Sequence, residues 1–222
     1  MSDAYQTRKP YRARRAPQRA HYDRATVHGI LDAAPVAHIG YVGADGDAAV
    51  PQVIPIFFAR RGEDVLFHAS SKSGLARAAE LGLPMCATVS LIDAIVYSRT
   101  GFHHSMRYRS VAVHGTALLL PDGEKAEALD FMIDRLQAGR AKLLRPMNEQ
   151  ELKATHVVRL PIEQAVAKVS TGDAPAEEPE DLDWPVWAGI IRVSSSFGAP
   201  LQHEPSLSEA GRPDLTGPLF RG

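Results

Sequence analysis

The chain has 222 residues, 45% of them hydrophobic and 23% charged, with a formal net charge of −1, which is material for one domain with a sizeable core and room for tails. The near-neutral balance argues against nucleic acid as a partner of the whole molecule, no apolar run approaches the length that crosses a bilayer, and the opening Met1-Ser-Asp-Ala-Tyr-Gln carries no hydrophobic signal segment. Cys86 is the single cysteine, so an internal disulfide and a cysteine-rich metal site are excluded, and a reducing, cytoplasmic location is the expectation.

Residues 1–24 form a basic arm poor in aliphatics, with Arg8, Lys9, Arg12, Arg14, Arg15, Arg19 and Arg24. Such an arm is expected to be solvated or draped over a partner subunit, and it lacks the folded reader that nucleic-acid binding needs. Residues 26–33 read as a short helix with Val27, Ile30 and Leu31 on one face, closed by Pro35. Strand 36–42 runs into the turn Gly43-Ala-Asp-Gly-Asp, a hairpin signal. Residues 49–59 are nearly all apolar but carry Pro51 and Pro55, which cannot donate to a ladder, so this strand is expected at an edge or broken where a ligand meets its backbone.

A turn at 61–64 leads to strand 65–68, and Ser70-Ser-Lys-Ser-Gly opens a helix over 75–81 that Gly82 stops. Two strands follow, 85–91 and 94–99, then a long one over 107–119. A helix over 124–138 places Leu129, Met132, Ile133 and Leu136 at helical spacing, with Gly139 as its cap. Asn148 and Glu151 stand as a capping pair at the start of another short helix. Strands 155–160 and 164–170 end the regular part. An acidic, proline-rich linker over 173–183, an apolar return from Trp184 to Arg192 and a loose tail over 194–222 complete the chain. Many short strands with helices between them point to a mainly β fold, a small barrel with α additions.

Two segments concentrate donors. Phe102 to Ala117 begins with His103, His104, Ser105, Arg107, Tyr108 and Arg109 and becomes an alternating strand. Arginine forks onto phosphate or ring carbonyls, and histidine, serine and tyrosine fix orientation, although an ordinary strand after a polar loop reads the same way. Ser70-Ser-Lys-Ser-Gly would seat a phosphate between hydroxyls, an ammonium and a helix start, or Ser73 is simply an N-cap. It lacks the spaced glycines of a Walker loop. His103 and His104 point to opposite sides of a strand, a poor pair of metal ligands, and no nucleophile elbow is present. Cys86, in an apolar strand, is expected to pack rather than react. Trp184 and Trp187 are core anchors, or cover a flat ligand or a subunit interface.

Tyr22-Asp23-Arg24, Val53-Ile54-Pro55, the run Leu66 to Ser73, Phe102 to Val111, Ala154-Thr155, Ala167 to Ser170 and Val186-Trp-Ala-Gly occur in that order. As an ordered set they resemble the pyridoxamine 5′-phosphate oxidase-like family of FMN-binding split barrels, in particular its flavin-nucleotide-binding branch that includes nitroimidazole-resistance reductase-like proteins. The resemblance implies a mainly β split barrel with peripheral helices over 25–193, forming a homodimer with two FMN sites in the dimer cleft. It implies that the backbone of Val53, Ile54 and Pro55 lies along the flavin ring and that His68, Ser70, Ser71, Lys72 and Ser73 hold the ribityl chain and phosphate. Ser105, Arg109 and Ser110 would complete the site, from the partner subunit, with Trp187 near the ring edge. Arg109 or Lys72 would stabilise reduced flavin.

Three positions depart from the branch: Ala69 where glycine is usual, Ser170 where a basic residue is common, and Arg192 where proline is common. The C-terminal substrate motif of the true oxidases is missing, which argues against pyridoxamine phosphate as substrate. The expected activity is flavin-dependent oxidation and reduction of a small molecule. The rivals are the same fold carrying deazaflavin or haem, and a flavin-binding sensor without turnover.

Overall fold

Alternation along the strands decides the architecture of the computed structural model, which describes residues 3–45, 48–201, 203 and 212. Along β5 (Pro84–Tyr97), Met85, Ala87 and Val89 are buried, while Ser90 and Ile92 on the other face are exposed. In chain order the remaining elements are β1 (Ala20–His21), α1 (Arg24–Ala33), β2 (Val36–Asp45), β3 (Ala48–Arg61), β4 (Asp64–Ser70), α2 (Gly74–Glu80), β6 (Ser105–Thr116), β7 (Leu118–Leu119), α3 (Asp122–Leu136), α4 (Glu149–Ala154), β8 (Thr155–Pro161), β9 (Gln164–Ser170) and β10 (Gly189–Arg192). The strands form one antiparallel sheet in the order β1-β9-β6-β5-β2-β3-β4-β8-β7, with β10 paired to the outer half of β5.

The sheet curls into a split barrel. β3 is the hinge of that curl: residues Ala48 to Phe57 pair with β2, and Phe58 to Arg61 pair with β4. Phe58, Phe67, Ile39, Val89, Val111 and Leu160 fill the interior, and α1 plugs it with Val27, Ile30 and Leu31. The next residues along β3 and β4, Ala59 and Leu66, face outward and pack on Leu129 and Met132 of α3. The barrel closes where β6 meets the end of β8. A Cβ placed on Gly115 would overlap the Pro161 carbonyl oxygen, so only glycine lets the two backbones approach.

Local signals set the element ends. The Asp23 carboxylate accepts the Thr26 N–H at 2.8 Å and starts α1 at Arg24, two residues before the expected position. Asn148 and Glu151 form the expected reciprocal capping box of α4. α3 ends at Leu136 and Gly139 turns the chain beyond it, with φ +78°. Strands 85–91 and 94–99 are one strand, β5, with a bulge between Ile92 and Ala94. Residues 46 and 47 of the expected hairpin turn lie outside the described residues; the flanking pair Asp45 and Ala48 is in register.

The basic arm docks on its own barrel. Thr7 donates to the Ala165 carbonyl at 2.6 Å, and the Tyr5 hydroxyl donates to Glu63 at 2.8 Å and meets His28 Nε2 at 2.7 Å. Short β1 then pairs with β9. The acidic segment 173–183 docks as well: Glu177 accepts from the Arg99 backbone N–H at 3.0 Å and from its guanidinium. Residues 194–201 have no regular structure, and most of the rest of the expected tail lies outside the described residues. Among the described residues no helix is long and apolar enough to cross a membrane.

Candidate functional site

The expected site residues fall into two groups. The first surrounds the opening where β3 leaves β4. From Ala48 to Phe57, β3 pairs only with β2, so one edge of its backbone is open; Val53 on its outer face is 66% exposed. Pro51 and Pro55 sit on this edge, as their missing N–H groups require. α2 lies across the same opening, close enough that a Cβ on Gly74 would come within 3.3 Å of the Tyr41 hydroxyl, and Tyr41 is the register partner of Gln52. Val53, Ile54 and Pro55 are thereby brought beside the turn that carries Ser70 to Ser73.

Within that turn the serines divide their work. Ser73 is an N-cap: its hydroxyl accepts the Ala76 N–H at 3.1 Å and donates to the Ser70 carbonyl at 2.8 Å. The Ser70 hydroxyl accepts the Lys72 N–H at 3.3 Å, and the Ser71 N–H goes to the Ala154 carbonyl at 3.0 Å. The His68 ring, the Ser71 hydroxyl and the Lys72 ammonium make no hydrogen bond or ion pair among the described residues. These three groups face the opening without an engagement among the described residues.

The second group lies at the other end of the sheet. Ser105 begins β6 opposite Val96, and Ser110 faces Ser90. Arg109 is already engaged: Nε and Nη2 reach the Asp93 carboxylate at 3.0 and 2.8 Å. Asp93 occupies the β5 bulge, and its hydrogen bonds hold the Arg109 guanidinium still more firmly protonated than usual. Trp187 is 62% exposed and tilts against Tyr97 with centroids 5.7 Å apart. His104 meets the same tyrosine edge-on at 5.8 Å, and its Nδ1 bonds the Thr100 carbonyl at 2.8 Å.

β6 and β3 are separated by β5 and β2, a spacing of about 14 Å at normal strand separation. Within the chain Ser105, Arg109 and Ser110 therefore do not reach the Val53 edge; Trp187 lies just before β10, beside Tyr97 of β5. Sequence reasoning missed Asp93 as the partner of Arg109, and missed the His104–Tyr97–Trp187 cluster, of which His104 and Trp187 but not Tyr97 had been singled out. His103 and His104 are not on a strand: they lie in the turn before β6, where His103 packs on Phe102 and faces Glu178 at 3.5 Å while His104 meets Tyr97, so the expected strand alternation does not apply to them.

Cys86 stands outside both groups, in a recess of about 480 Å³ between the arm and the sheet, with Sγ 3.8 Å from His114 Nε2. Burial pushes the thiol above its usual range, which disfavours the thiolate. Among the described residues no cluster of three or more histidine, cysteine, aspartate or glutamate residues could hold a metal.

An antiparallel barrel opened along one strand, with a helix start and an unpaired strand edge at the opening, defines the split-barrel class. The family model for pyridoxamine 5′-phosphate oxidase matches residues 23–169, and the chain belongs to that family. No curated protein matches. Two solved structures are similar over nearly the whole chain. The flavocytochrome Anf3 from Azotobacter vinelandii is 36% identical with a TM-score of 0.85, covering 93% of this chain and 94% of its own. The FAD and heme binding protein from Mycobacterium smegmatis is 32% identical with a TM-score of 0.80, covering 91% and 100%. A protein described as a 5-nitroimidazole antibiotic resistance protein, from Bacteroides thetaiotaomicron, shares the fold at 20% identity and a TM-score of 0.57, over 68% of this chain and 86% of its own.

Proposed function

We propose that the protein is a flavin-binding oxidoreductase of a small molecule, working as a homodimer in which each flavin lies between two copies. The observation that supports this most is the division of the donor set. Two groups of donors lie three strands apart in one chain, and a second copy placed across the open β3 edge is the simplest way to unite them.

The residues present fit a flavin. The bare edge of β3 offers backbone donors and acceptors to the rim of a flat ring, and Lys72 with Ser71 offers charge and a hydroxyl to a phosphate. The flavin supplies the hydride and electron transfer when bound. Val53, Ile54 and Pro55 position it, Lys72 neutralises its phosphate, and Trp187 shields an edge from water. Arg109, neutralised by Asp93, orients rather than contributes free charge. FMN is the expected form. Its ring and first phosphate are common to FAD, which the full-length Mycobacterium smegmatis neighbour binds.

A second reading adds haem, which both full-length neighbours favour, one as a flavocytochrome and one as a binder of FAD and heme. His104 would supply an imidazole nitrogen to the iron of a haem, which would add one-electron chemistry. Its Nδ1–H donating to the Thr100 carbonyl would fix the ring and leave Nε2 as the free lone pair, beside the apolar surface of Tyr97 and Trp187.

One absorbance spectrum of the purified protein, followed by titration with FMN and FAD, tests both readings. Flavin bands are expected, with quenching of flavin fluorescence on binding and a light-scattering mass of two chains. A colourless protein that leaves flavin fluorescence unchanged overturns the flavin reading, and bound flavin without turnover favours the sensor. A Soret band that His104→Ala abolishes while flavin is retained supports haem at His104.

A further inference from the structure

At the end of the barrel away from the β3 edge, a recess of about 530 Å³ is lined by Asp93, Arg107, Arg109, Ser170, Asp173 and Arg192, together with the turn that links Ser170 to Asp173. The volume falls within the usual range of ligand pockets, roughly 300–1,000 Å³. We infer that this recess is an anion subsite that takes a diphosphate group, formed by Arg107, Arg109 and Arg192 with the Ser170 hydroxyl.

The charge distribution carries the inference. Three guanidinium groups face two carboxylates. Arg109 is held by Asp93, and Arg192 by Asp173. Arg107 has no carboxylate within ion-pair distance among the described residues. Its Nε donates to the Gly172 carbonyl at 3.2 Å and its Nη2 to the Ala174 carbonyl at 2.5 Å. Backbone carbonyls orient a guanidinium without neutralising it, so one positive charge is left over. An arginine fixed in this way loses little side-chain entropy when an anion arrives.

Ser170 is the second, independent sign. It is 2% exposed, lines the recess, and its Oγ is fully buried with no hydrogen-bond partner. A buried hydroxyl left unmade costs free energy, which an anionic oxygen accepting its proton would recover. The rim supplies the entry. Asp173 and Arg192 form their pair with side chains 83% and 72% exposed, so an entering phosphate can take the place of Asp173 on Arg192 at little cost. Asp173 thus occupies, in the protein alone, the position that the anion takes when bound.

Two ligands present a diphosphate: the tail of a flavin dinucleotide, and a separate nucleotide such as the donor of reducing equivalents. The experiment separates them. Inorganic pyrophosphate and ADP are titrated into the full-length protein by calorimetry, with and without FMN, at two salt concentrations. Pyrophosphate should bind, more weakly at high salt. Arg107→Gln, which keeps donors for the turn carbonyls, should weaken it about tenfold or more, the size of one charge-assisted contact. Asp173→Asn removes an exposed competitor and should tighten it a few-fold. The opposite signs of these two variants distinguish a built site from general attraction to a basic surface. No pyrophosphate binding, or Asp173→Asn weakening it while Arg107→Gln leaves it unchanged, overturns the inference.

If ADP and FMN bind together without competing, the subsite serves a separate ligand. If FAD binds more tightly than FMN and Arg107→Gln erases the difference, the subsite serves the flavin tail, an arm that rests on the flavin reading above. Pyrophosphate binding in a protein that takes up no flavin leaves the subsite standing and removes the flavin reading. Flavin binding without any response to pyrophosphate, ADP or the dinucleotide tail does the reverse.

Discussion

Arg135, on α3, is 4% exposed, and methionine in its place should cost the fold about 2–4 kcal/mol. Its Nε donates to the Phe58 carbonyl at 3.2 Å, and its Nη2 lies 3.1, 2.8 and 3.0 Å from the carbonyls of Leu31, Asp32 and Ala34. Carbonyls at the end of a helix lack intrahelical partners, so this one side chain caps α1 from a distance. The Leu31 carbonyl also accepts the Ala34 N–H at 3.3 Å, which leaves the Asp32 and Ala34 carbonyls as those most exposed to loss. An unsatisfied buried acceptor costs about 1–3 kcal/mol, so two cost about 2–6. Methionine also removes a penalty, because burial holds the guanidinium below its usual very high pKa and Nη1 has no partner. The net figure therefore sits in the lower part of that range. In a chain of this length each kcal/mol moves Tm by about 2–4 °C, so Tm should fall by about 4–16 °C. Arg135→Lys keeps the charge without the fork and should fall between. Urea and thermal unfolding measure both variants. A methionine variant within about 0.5 kcal/mol of the parent refutes the capping argument.

Three further outcomes follow from the site and the barrel. Lys72→Ala should weaken FMN about ten- to hundredfold and riboflavin far less, since only FMN carries the phosphate; equal loss in fluorescence titrations places Lys72 elsewhere. Gly115→Ala forces a methyl onto the Pro161 carbonyl and within 3.3 Å of Leu160 Cδ1, and should destabilise by about 1–3 kcal/mol in urea; an unchanged midpoint means that the β6–β8 closure is loose. Burial holds the imidazoles of His28 and His114 below their ordinary value, so the unfolded chain takes up protons first. Their contribution is complete above about pH 6.5 and is lost as pH falls through the folded values; Tm should drop on acidification below that point, and His28→Gln with His114→Gln should flatten the drop.

Much of the fold was legible because its signals are local. Ser73 and Asn148 are side chains whose oxygens satisfy N–H groups three residues on, and such caps read directly from the sequence; Asp23 does the same for α1 and was not read as a cap. Pro51 and Pro55 marked the open edge because a missing N–H excludes a central strand. Long-range pairing was not legible. Asp93 looked like the end of a strand, since a charge interrupts the apolar pattern there; Arg109, sixteen residues on, satisfies that charge and lets β5 continue through a bulge. The arm was expected to be solvated or draped over a partner subunit, because its contacts to its own barrel are to distant backbone groups, such as Thr7 to Ala165, which leave no periodic trace. For the site, the residues alone did not separate the donors; the resemblance assigned Ser105, Arg109 and Ser110 to a second subunit, and the strand order β6-β5-β2-β3 that keeps β6 from β3 is a property of the assembled sheet.

The bare edge of β3 also bears on how the folded chain avoids wrong association. An unpaired strand with exposed Val50 and Val53 is a template on which any extended peptide could add, and a newly folded protomer displays it in a crowded solution. The two prolines interrupt the row of N–H groups at positions 51 and 55, so an incoming strand finds no continuous ladder to complete. A rigid planar ring needs only one or two backbone contacts and tolerates the gaps. The two prolines therefore act as gatekeepers against misassembly, and a substitution that restored the missing N–H groups would trade selectivity of assembly for a longer sheet.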